Sequence, residues 1–201
     1  MMFAMDTFVT SLVFTPPRFI PRGRSAPAQK WQEILADHKR LAGFLRKRRL
    51  VGYGAFGAVY QVGDAAIKIG CIGESEPAIQ QWVHEHHQRA LPVWAFCQDV
   101  SLPKTVTREV CPRHGFPSNL WTPSSVNCHC GESLPVMVMP LAERADQRAV
   151  ENENFSEGIF EAVAKKFGVC LDIHKGNFLE FNGKLILCDF GDTNDQLADY
   201  W

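Results

Sequence analysis

The sequence predicts an α+β fold, with antiparallel strands and short helices around one core. Two observations carry this prediction. First, β-prone runs meet at Gly63-Asp64 and Asn182-Gly183, which are turn dipeptides typical of hairpins. Second, apolar residues recur at the helical period in 30–49, 76–90 and 156–167. A chain of 201 residues with 46% hydrophobic composition is long enough to bury one core.

Turn residues separate the predicted helices and strands along the chain. Residues 15–29 hold four prolines and predict an arm without regular structure. The elements expected after it are a basic amphipathic helix at 30–49, strands at 50–62 and 65–69, a helix at 76–90, strands at 105–111 and 134–140, a helix at 156–167 capped at Ser156, and strands at 178–181 and 185–188.

Charge is unevenly distributed, although the formal net charge is only −1. Between residues 18 and 49 the acidic residues are Glu33 and Asp37, against ten cations: Arg18, Arg22, Arg24, Lys30, Lys39, Arg40, Arg46, Lys47, Arg48 and Arg49. A solvated helix face is the default interpretation of such a segment. A landing surface for an acidic partner and a nucleic-acid contact are the alternatives.

The compartment follows from what the sequence lacks. Residues 1–14 are only mildly apolar, contain Asp6 and have no basic stretch of the kind that opens a signal peptide. No apolar run has the length that crosses a bilayer. We therefore expect a cytoplasmic protein without a membrane partner, whose seven cysteines are thiols or metal ligands.

The run VGYGAFGAVYQVGDAAIKIG, at 51–70, is the most informative stretch. It contains the spacing G-x-G-x-x-G, at Gly52, Gly54 and Gly57. Dinucleotide-binding turns share this spacing, but their glycines open a helix, whereas here the chain continues through Val59 and returns as AAIKI. Glycines in a hairpin let backbone amides approach phosphates, and Lys68 on the return strand adds a cation. The run predicts a phosphate-binding hairpin.

Two later motifs complete the pattern. Asp172 and Asn177 lie five residues apart in LDIHKGNFL, and Asp189 opens an Asp-Phe-Gly triplet after an apolar strand. Together with the glycine hairpin and Lys68, they follow the order found in protein kinases. From about residue 50 to residue 192 the chain resembles the protein-kinase-like superfamily, and in size and layout it resembles short serine/threonine kinases encoded by tailed bacteriophages.

The resemblance implies a catalytic role for each matched residue. Asp172 would accept or orient the proton of the attacking hydroxyl. Asn177 and Asp189 would hold the Mg²⁺ that bridges the phosphates of ATP, and Lys68 would position those phosphates.

The resemblance also implies a nucleotide-binding set. Besides Lys68, it comprises Gly52, Gly54, Gly57, Val59, Glu85 and Met139. Glu85, on the helix expected at 76–90, is the favoured carboxylate partner of Lys68, because it lies deep in the helix and near the separation usual for the family. Glu76, at the start of the helix, is the alternative.

The chain departs from the family pattern in two places. Cys170-Leu171-Asp172 stands where most such kinases have His-Arg-Asp, and His174 follows in the arrangement D-x-H-x-G-N. The resemblance implies a bilobal α+β fold with an antiparallel N-lobe sheet and a helical C-lobe, which is truncated because only residues 193–201 follow the Asp-Phe-Gly-Asp run. The expected organisation is an arm at 1–29, a basic helix at 30–49, an N-lobe at 50–141 with an inserted loop at 111–133, and a minimal C-lobe at 142–201.

The expected function is ATP- and Mg²⁺-dependent phosphoryl transfer, with a protein serine or threonine hydroxyl slightly favoured over a small molecule. The resemblance to phage kinases implies the host cytoplasm and a host protein as substrate or partner. A pseudokinase, or a module that binds nucleotide and a partner without transfer, is the alternative. Homo-oligomerisation and nucleic-acid binding stay open.

The inserted loop contains a second constellation, C-x₂-H-x₁₃-C-x-C, formed by Cys111, His114, Cys128 and Cys130. Two close pairs of thiol and imidazole ligands suit tetrahedral Zn²⁺, and a polar loop has no core of its own to hold it. The pattern predicts a structural zinc site. A loop with reduced thiols is the alternative.

Overall fold

The computed structural model describes residues 30–54, 57–70, 72–111, 133–146, 150, 157–171 and 175–191. Within them the chain is α+β and contains two antiparallel sheets. Its elements in chain order are α1 (Trp31–Ala36), α2 (His38–Leu45), β1 (Arg49–Gly54), β2 (Gly57–Val62), β3 (Ala65–Gly70), α3 (Glu76–His87), β4 (Ala95–Ser101), α4 (Lys104–Val110), β5 (Ser133–Pro140), β6 (Glu143–Arg144), α5 (Glu157–Phe167), a 3₁₀ turn (Lys175–Asn177), β7 (Phe178–Phe181) and β8 (Lys184–Leu187).

The larger sheet has five strands in the order β1-β2-β3-β5-β4. Its β2–β3 hairpin turns at Gly63-Asp64, where Gly63 has φ 64° and Val62 pairs with Ala65. The smaller sheet has the order β6-β7-β8, and its hairpin turns at Asn182 and Gly183, both with positive φ. Both predicted hairpins are confirmed, because each turn dipeptide supplies the left-handed backbone that a tight hairpin needs.

The two faces of the larger sheet have different neighbours, since side chains alternate along each strand. On the outer face, strand residues pack with α1, α2 and α4 in an apolar cluster. Its fully buried members include Trp31, Ile34, Leu41, Leu45, Ile67, Ile69, Val106, Val136 and Val138. Helices α1, α2 and α4 therefore stabilise the sheet from this side.

The inner face meets the smaller sheet through a second apolar cluster. Ala66, Met137 and Met139 of the larger sheet share this cluster with Leu179 and Ile186 of the smaller one. A third cluster joins α3 to α5, with Ile79 and Val83 of α3 fully buried, as the sequence predicts. The inner face is thus where the two sheets and α3 meet.

The prediction of a single helix at 30–49 is wrong. It forms α1 and α2, separated at Asp37, whose backbone is extended with φ −108° and ψ 96°. The Asp37 carboxylate accepts hydrogen bonds from the backbone amides of Lys39 and Arg40, each at 3.1 Å. Such N-cap bonds favour the start of a new helix over continuation of the first one.

The strand expected at 105–111 is also wrong, because Lys104–Val110 is helix α4. Its Val106, Thr107 and Val110 lie on one buried face, so the β-branched run follows a helical period. Thr107 Oγ1 donates to the Lys104 carbonyl at 3.2 Å, which suits a helix. Strand β4 was not predicted from the sequence. It is an edge strand, and its pairing with β5 shifts register between Cys97 and Val100.

Several sequence predictions lie outside the described residues: the arm at 1–29, the cap at Ser156 and most of the loop at 111–133. In the part of the chain that the structure describes, helices are too short or too polar to cross a membrane.

Candidate functional site

The inner face of the larger sheet places Lys68 between two apolar neighbours. Val59 on β2 pairs with Lys68 on β3, and Lys68 pairs with Met137 on β5. Cross-strand partners point to the same side of a sheet, so these three side chains form a row. Most of the neighbouring inner-face residues are apolar, and the Lys68 side chain is only 16% exposed. A cation this enclosed needs anionic partners.

Two carboxylates from distant parts of the chain supply those partners. The ammonium of Lys68 donates a short hydrogen bond to Oε1 of Glu76, the first residue of α3. It also donates to Oδ1 of Asp189 at 3.1 Å, across 121 residues of sequence. The Glu76 side chain is 3% exposed and that of Asp189 is 35% exposed. Glu76 therefore supports Lys68 from the interior, while Asp189 contacts both Lys68 and solvent.

The predicted pairing of Lys68 with Glu85 is wrong. Glu85 is exposed and accepts a hydrogen bond from Gln81 of its own helix at 2.7 Å. Only residues 71–75 connect β3 to α3, so the first turn of the helix lies beside Lys68 and the later turns extend away from it. The short connection was the signal in the sequence that favours Glu76.

Lys68 stays charged in this enclosed position. Burial alone would lower the pKa of Lys68, but the charges of Asp189 and Glu76 and the hydrogen bonds to them raise it well above its ordinary value. Burial raises the pKa of Glu76, while the Lys68 ammonium and a backbone hydrogen bond from Phe190 act to lower it. Glu76 therefore ties β3 both to α3 and to the Asp-Phe-Gly segment.

The glycine pair of β2 and β3 lies next to this row along the strands. Gly57 on β2 pairs with Gly70 on β3, two residues beyond the pair formed by Val59 and Lys68. A Cβ atom at Gly57 would lie 2.4 Å from the Ile69 carbonyl oxygen, closer than such atoms approach. Glycine is required there because the backbone of β3 occupies the position that a side chain would need. Gly52 and Gly54 lie on β1, where Gly52 pairs with Val59 and Gly54 with Gly57.

A cluster of apolar side chains extends from Lys68 towards the end of β5. Val59 and Ala66 contribute from the larger sheet, Leu179 contributes from β7, and Leu141 is partly buried against the same cluster. Met139 is 6% exposed at the end of β5, and Gln80 of α3 donates to its sulfur at 3.7 Å. Sequence reasoning missed Gln80, a 2% exposed side chain that also donates to the Leu91 carbonyl at 3.1 Å. Gln80 therefore links α3 to this apolar cluster.

Asn177 and Asp189 lie on adjacent segments. Cys188, which precedes Asp189, donates its backbone N–H to the Asn177 carbonyl at 2.8 Å and its thiol to the same oxygen at 3.2 Å. Asp189 has φ 68°, a left-handed conformation that is uncommon outside glycine and concentrates at functional sites. Amide and carboxylate oxygens suit Mg²⁺, which takes one or two protein ligands together with phosphate oxygens. The donor set at these two residues fits that ion.

Two predicted features extend beyond the described residues. Asp172 falls outside them, although Leu171 before it is described and buried. Of the predicted zinc ligands only Cys111 is described, buried at the end of α4, and His114, Cys128 and Cys130 are not. In the described ranges, no group of three or more His, Cys, Asp and Glu side chains could hold a metal ion. The zinc site stays a prediction.

Comparison with known proteins gives no relative: no family model, no curated protein and no solved structure matches the chain.

Proposed function

We propose that this chain is an ATP- and Mg²⁺-dependent phosphotransferase with a bilobal protein-kinase-like fold, acting on a serine or threonine hydroxyl of a protein. One observation carries the proposal: Lys68, on the third strand, contacts both Glu76 of the following helix and Asp189 of the Asp-Phe-Gly triplet. Protein kinases need a strand lysine paired with a helix glutamate, and an Asp-Phe-Gly aspartate beside them. A buried salt bridge alone is weak evidence, but this one joins Lys68, the alternative helix carboxylate Glu76 and the Asp-Phe-Gly triplet, which the resemblance assigns to one site.

The surrounding residues are suited to holding a nucleotide. The base would pack against the apolar side chains of Val59, Ala66 and Leu179, which form one cluster with Met139. The triphosphate would then extend along the strands from Lys68 towards Gly57 and Gly70, and Lys68 would neutralise part of its charge. This direction follows from the order of the residues along the inner face.

Transfer then depends on positioning and charge. Asn177 and Asp189 would hold Mg²⁺, which neutralises phosphate oxygens when bound. Glu76 would hold the Lys68 ammonium in place if the Asp189 carboxylate rotated away from Lys68 to bind Mg²⁺. Asp172 would orient the acceptor hydroxyl and receive its proton.

The test uses the full chain, γ-labelled ATP and Mg²⁺, with a serine/threonine peptide library as acceptor and released phosphate as a second readout. We expect Lys68→Met and Asp189→Asn to reduce transfer by about 100-fold or more, since each removes a charge that contacts the reacting phosphates. Lys184→Met is the matched control, because this exposed lysine lies on β8 and bonds only Gln88 among the contacts described.

The outcomes separate the two functions that the sequence allows. Transfer and hydrolysis that persist at the level of the unsubstituted chain in Asp189→Asn contradict the proposal. Nucleotide binding that depends on Lys68, with neither transfer nor hydrolysis in any sample, favours the module that binds nucleotide without transfer. Thermal melts of each variant establish that it is folded before its activity is compared.

A further inference from the structure

The exposed side of helix α2 is cationic. At about 100° per residue, Lys39, Arg40, Arg46 and Lys47 fall within an arc of about 120°, and we call these four residues the cationic arc. Arg46 and Lys47 follow the last residue of α2 and continue its winding through a turn, because the Arg46 amide donates to the Ala42 carbonyl and the Lys47 amide to the Phe44 carbonyl, each at 3.1 Å. All four side chains are exposed. Directly opposite them, Leu41 and Leu45 are fully buried against the outer face of the larger sheet.

Acidic side chains do not balance this charge. None of the ion pairs found in the described residues involves the cationic arc. Asp37 uses its carboxylate for the backbone amides of Lys39 and Arg40, as the cap of the helix. Arg48, next along the chain, is paired with Glu109 of α4 and is not part of the arc. No member of the arc has a carboxylate four residues away along the chain, which is the spacing at which a solvated helix usually carries opposite charges.

A glycine lies at the centre of the arc. Gly43 is exposed and has nothing within 4 Å of the position that a Cβ atom would take. Glycine is among the least favourable residues in a helix interior, and no neighbouring atom requires it here. Its effect is a low point on the helix surface between two cation pairs, Lys39 with Arg40 and Arg46 with Lys47. The pairs are about 10 Å apart along the axis.

We propose that the cationic arc binds the phosphate backbone of a nucleic acid, which crosses α2 over Gly43 with a cation pair on either side. Phosphate contacts need lysine, arginine and close approach, and they supply sequence-independent affinity. A protein partner would usually be anchored by aromatic or aliphatic side chains in addition to charge. The only large hydrophobic side chain exposed among the described residues is Leu50, so the observations favour a nucleic acid over an acidic protein.

The test measures binding of the full chain to labelled duplexes of DNA and of RNA, of mixed sequence, by fluorescence anisotropy across a series of salt concentrations. Four phosphate contacts predict a fall of log affinity against log salt with a slope of about −3 to −4 on duplex DNA. Lys39→Gln with Arg46→Gln should lower affinity at least about tenfold at low salt and reduce the slope by about 2. Lys165→Gln with Lys184→Gln, at exposed positions on α5 and β8, is the matched control and should leave both values unchanged.

Gly43→Glu gives a second, independent reading. It adds no contact within the fold but places a carboxylate at the centre of the arc, so binding should fall by about tenfold or more while the melting temperature changes little. Equal loss of affinity in the control pair, or binding that survives both arc variants, overturns the proposal. So does binding of a poly-glutamate peptide with no binding of either duplex. Phosphoryl transfer should be unchanged in the arc variants, which keeps this result separate from the proposed function.

Discussion

The two faces of the five-stranded sheet are built on different principles. The outer face packs an apolar cluster beneath three helices, and the Arg48–Glu109 ion pair beside it has a Glu109 side chain that is 48% exposed. The inner face, on the same strands, carries a lysine with two carboxylates in an enclosed space. Removing charges from water costs free energy that apolar packing does not, and an apolar replacement would often be neutral or stabilising. The contrast indicates that the outer face mainly stabilises the fold and that the inner face contains the candidate site.

The largest effect on stability is expected on the outer face. Trp31 is fully buried and packs against Phe44 in a tilted arrangement with ring centroids 5.3 Å apart. Trp31→Ala removes a large core side chain and should lower the free energy of unfolding by about 3–5 kcal/mol. Nucleotide affinity of the folded fraction should stay unchanged. Denaturant unfolding followed by circular dichroism, and nucleotide titration below the melting temperature, measure the two quantities.

Trp31→Phe sharpens this comparison. Among the described residues the Trp31 indole N–H has no hydrogen-bond partner, and an unsatisfied buried donor is itself costly. The phenylalanine variant should therefore lose clearly less than the alanine variant. A loss as large as that of alanine would mean that the indole N–H is satisfied in solution.

An intermediate effect on stability, with a large effect on function, is expected for Glu76→Gln on the inner face. After this change Lys68 keeps its ion pair with the Asp189 carboxylate. Because that partner remains, the loss should be about 2 kcal/mol, below the value for a buried pair broken outright. A displaced Lys68 should lower phosphoryl transfer by about 10- to 100-fold.

Glu85→Gln is the matched control, with the same chemical change on the same helix. Glu85 is exposed and bonds Gln81, so stability should change by less than about 0.5 kcal/mol and transfer should be retained. If Glu85→Gln lost activity while Glu76→Gln did not, the assignment of Glu76 as the support of Lys68 would be wrong.

The smallest effect is expected at the helix cap. Asp37→Ala removes the two hydrogen bonds that start α2 and should lower the free energy of unfolding by about 1 kcal/mol, without change in nucleotide affinity. Glu33→Ala, an exposed carboxylate on α1, makes the same change in charge without loss of a cap. Equal melting temperatures for the two variants would show that the break between α1 and α2 does not depend on capping.

Local signals predicted part of the fold well. The hairpins at Gly63-Asp64 and Asn182-Gly183, the strand at Ser133–Pro140 and the helices that begin near Glu76 and Glu157 follow from turn chemistry and period, which act over a few residues. The exceptions were elements whose local preferences were overridden. Lys104–Val110 is rich in β-branched residues yet helical, because its buried side matches the helical period and packs on the sheet.

The candidate site was also predicted in part from the sequence. Motif order in the sequence pointed to Lys68 and Asp189 as partners of the same phosphates, and the fold places them 3.1 Å apart. The carboxylate that completes the set was assigned to the wrong residue. Sequence separation suggested Glu85, but which turn of α3 faces Lys68 depends on the length of the connection and the direction of the helix.

By itself the sequence determined the hairpins, the periods of most helices, the glycine run and the residue types of the candidate site, because each depends on backbone preferences and chemistry within a short window. Only the tertiary structure decided which carboxylates enclose Lys68, how the two faces of the sheet divide between packing and charge, and which side of α2 is left to solvent. Those outcomes depend on contacts between residues that are far apart in the chain, and their energies exist only once the elements have packed together.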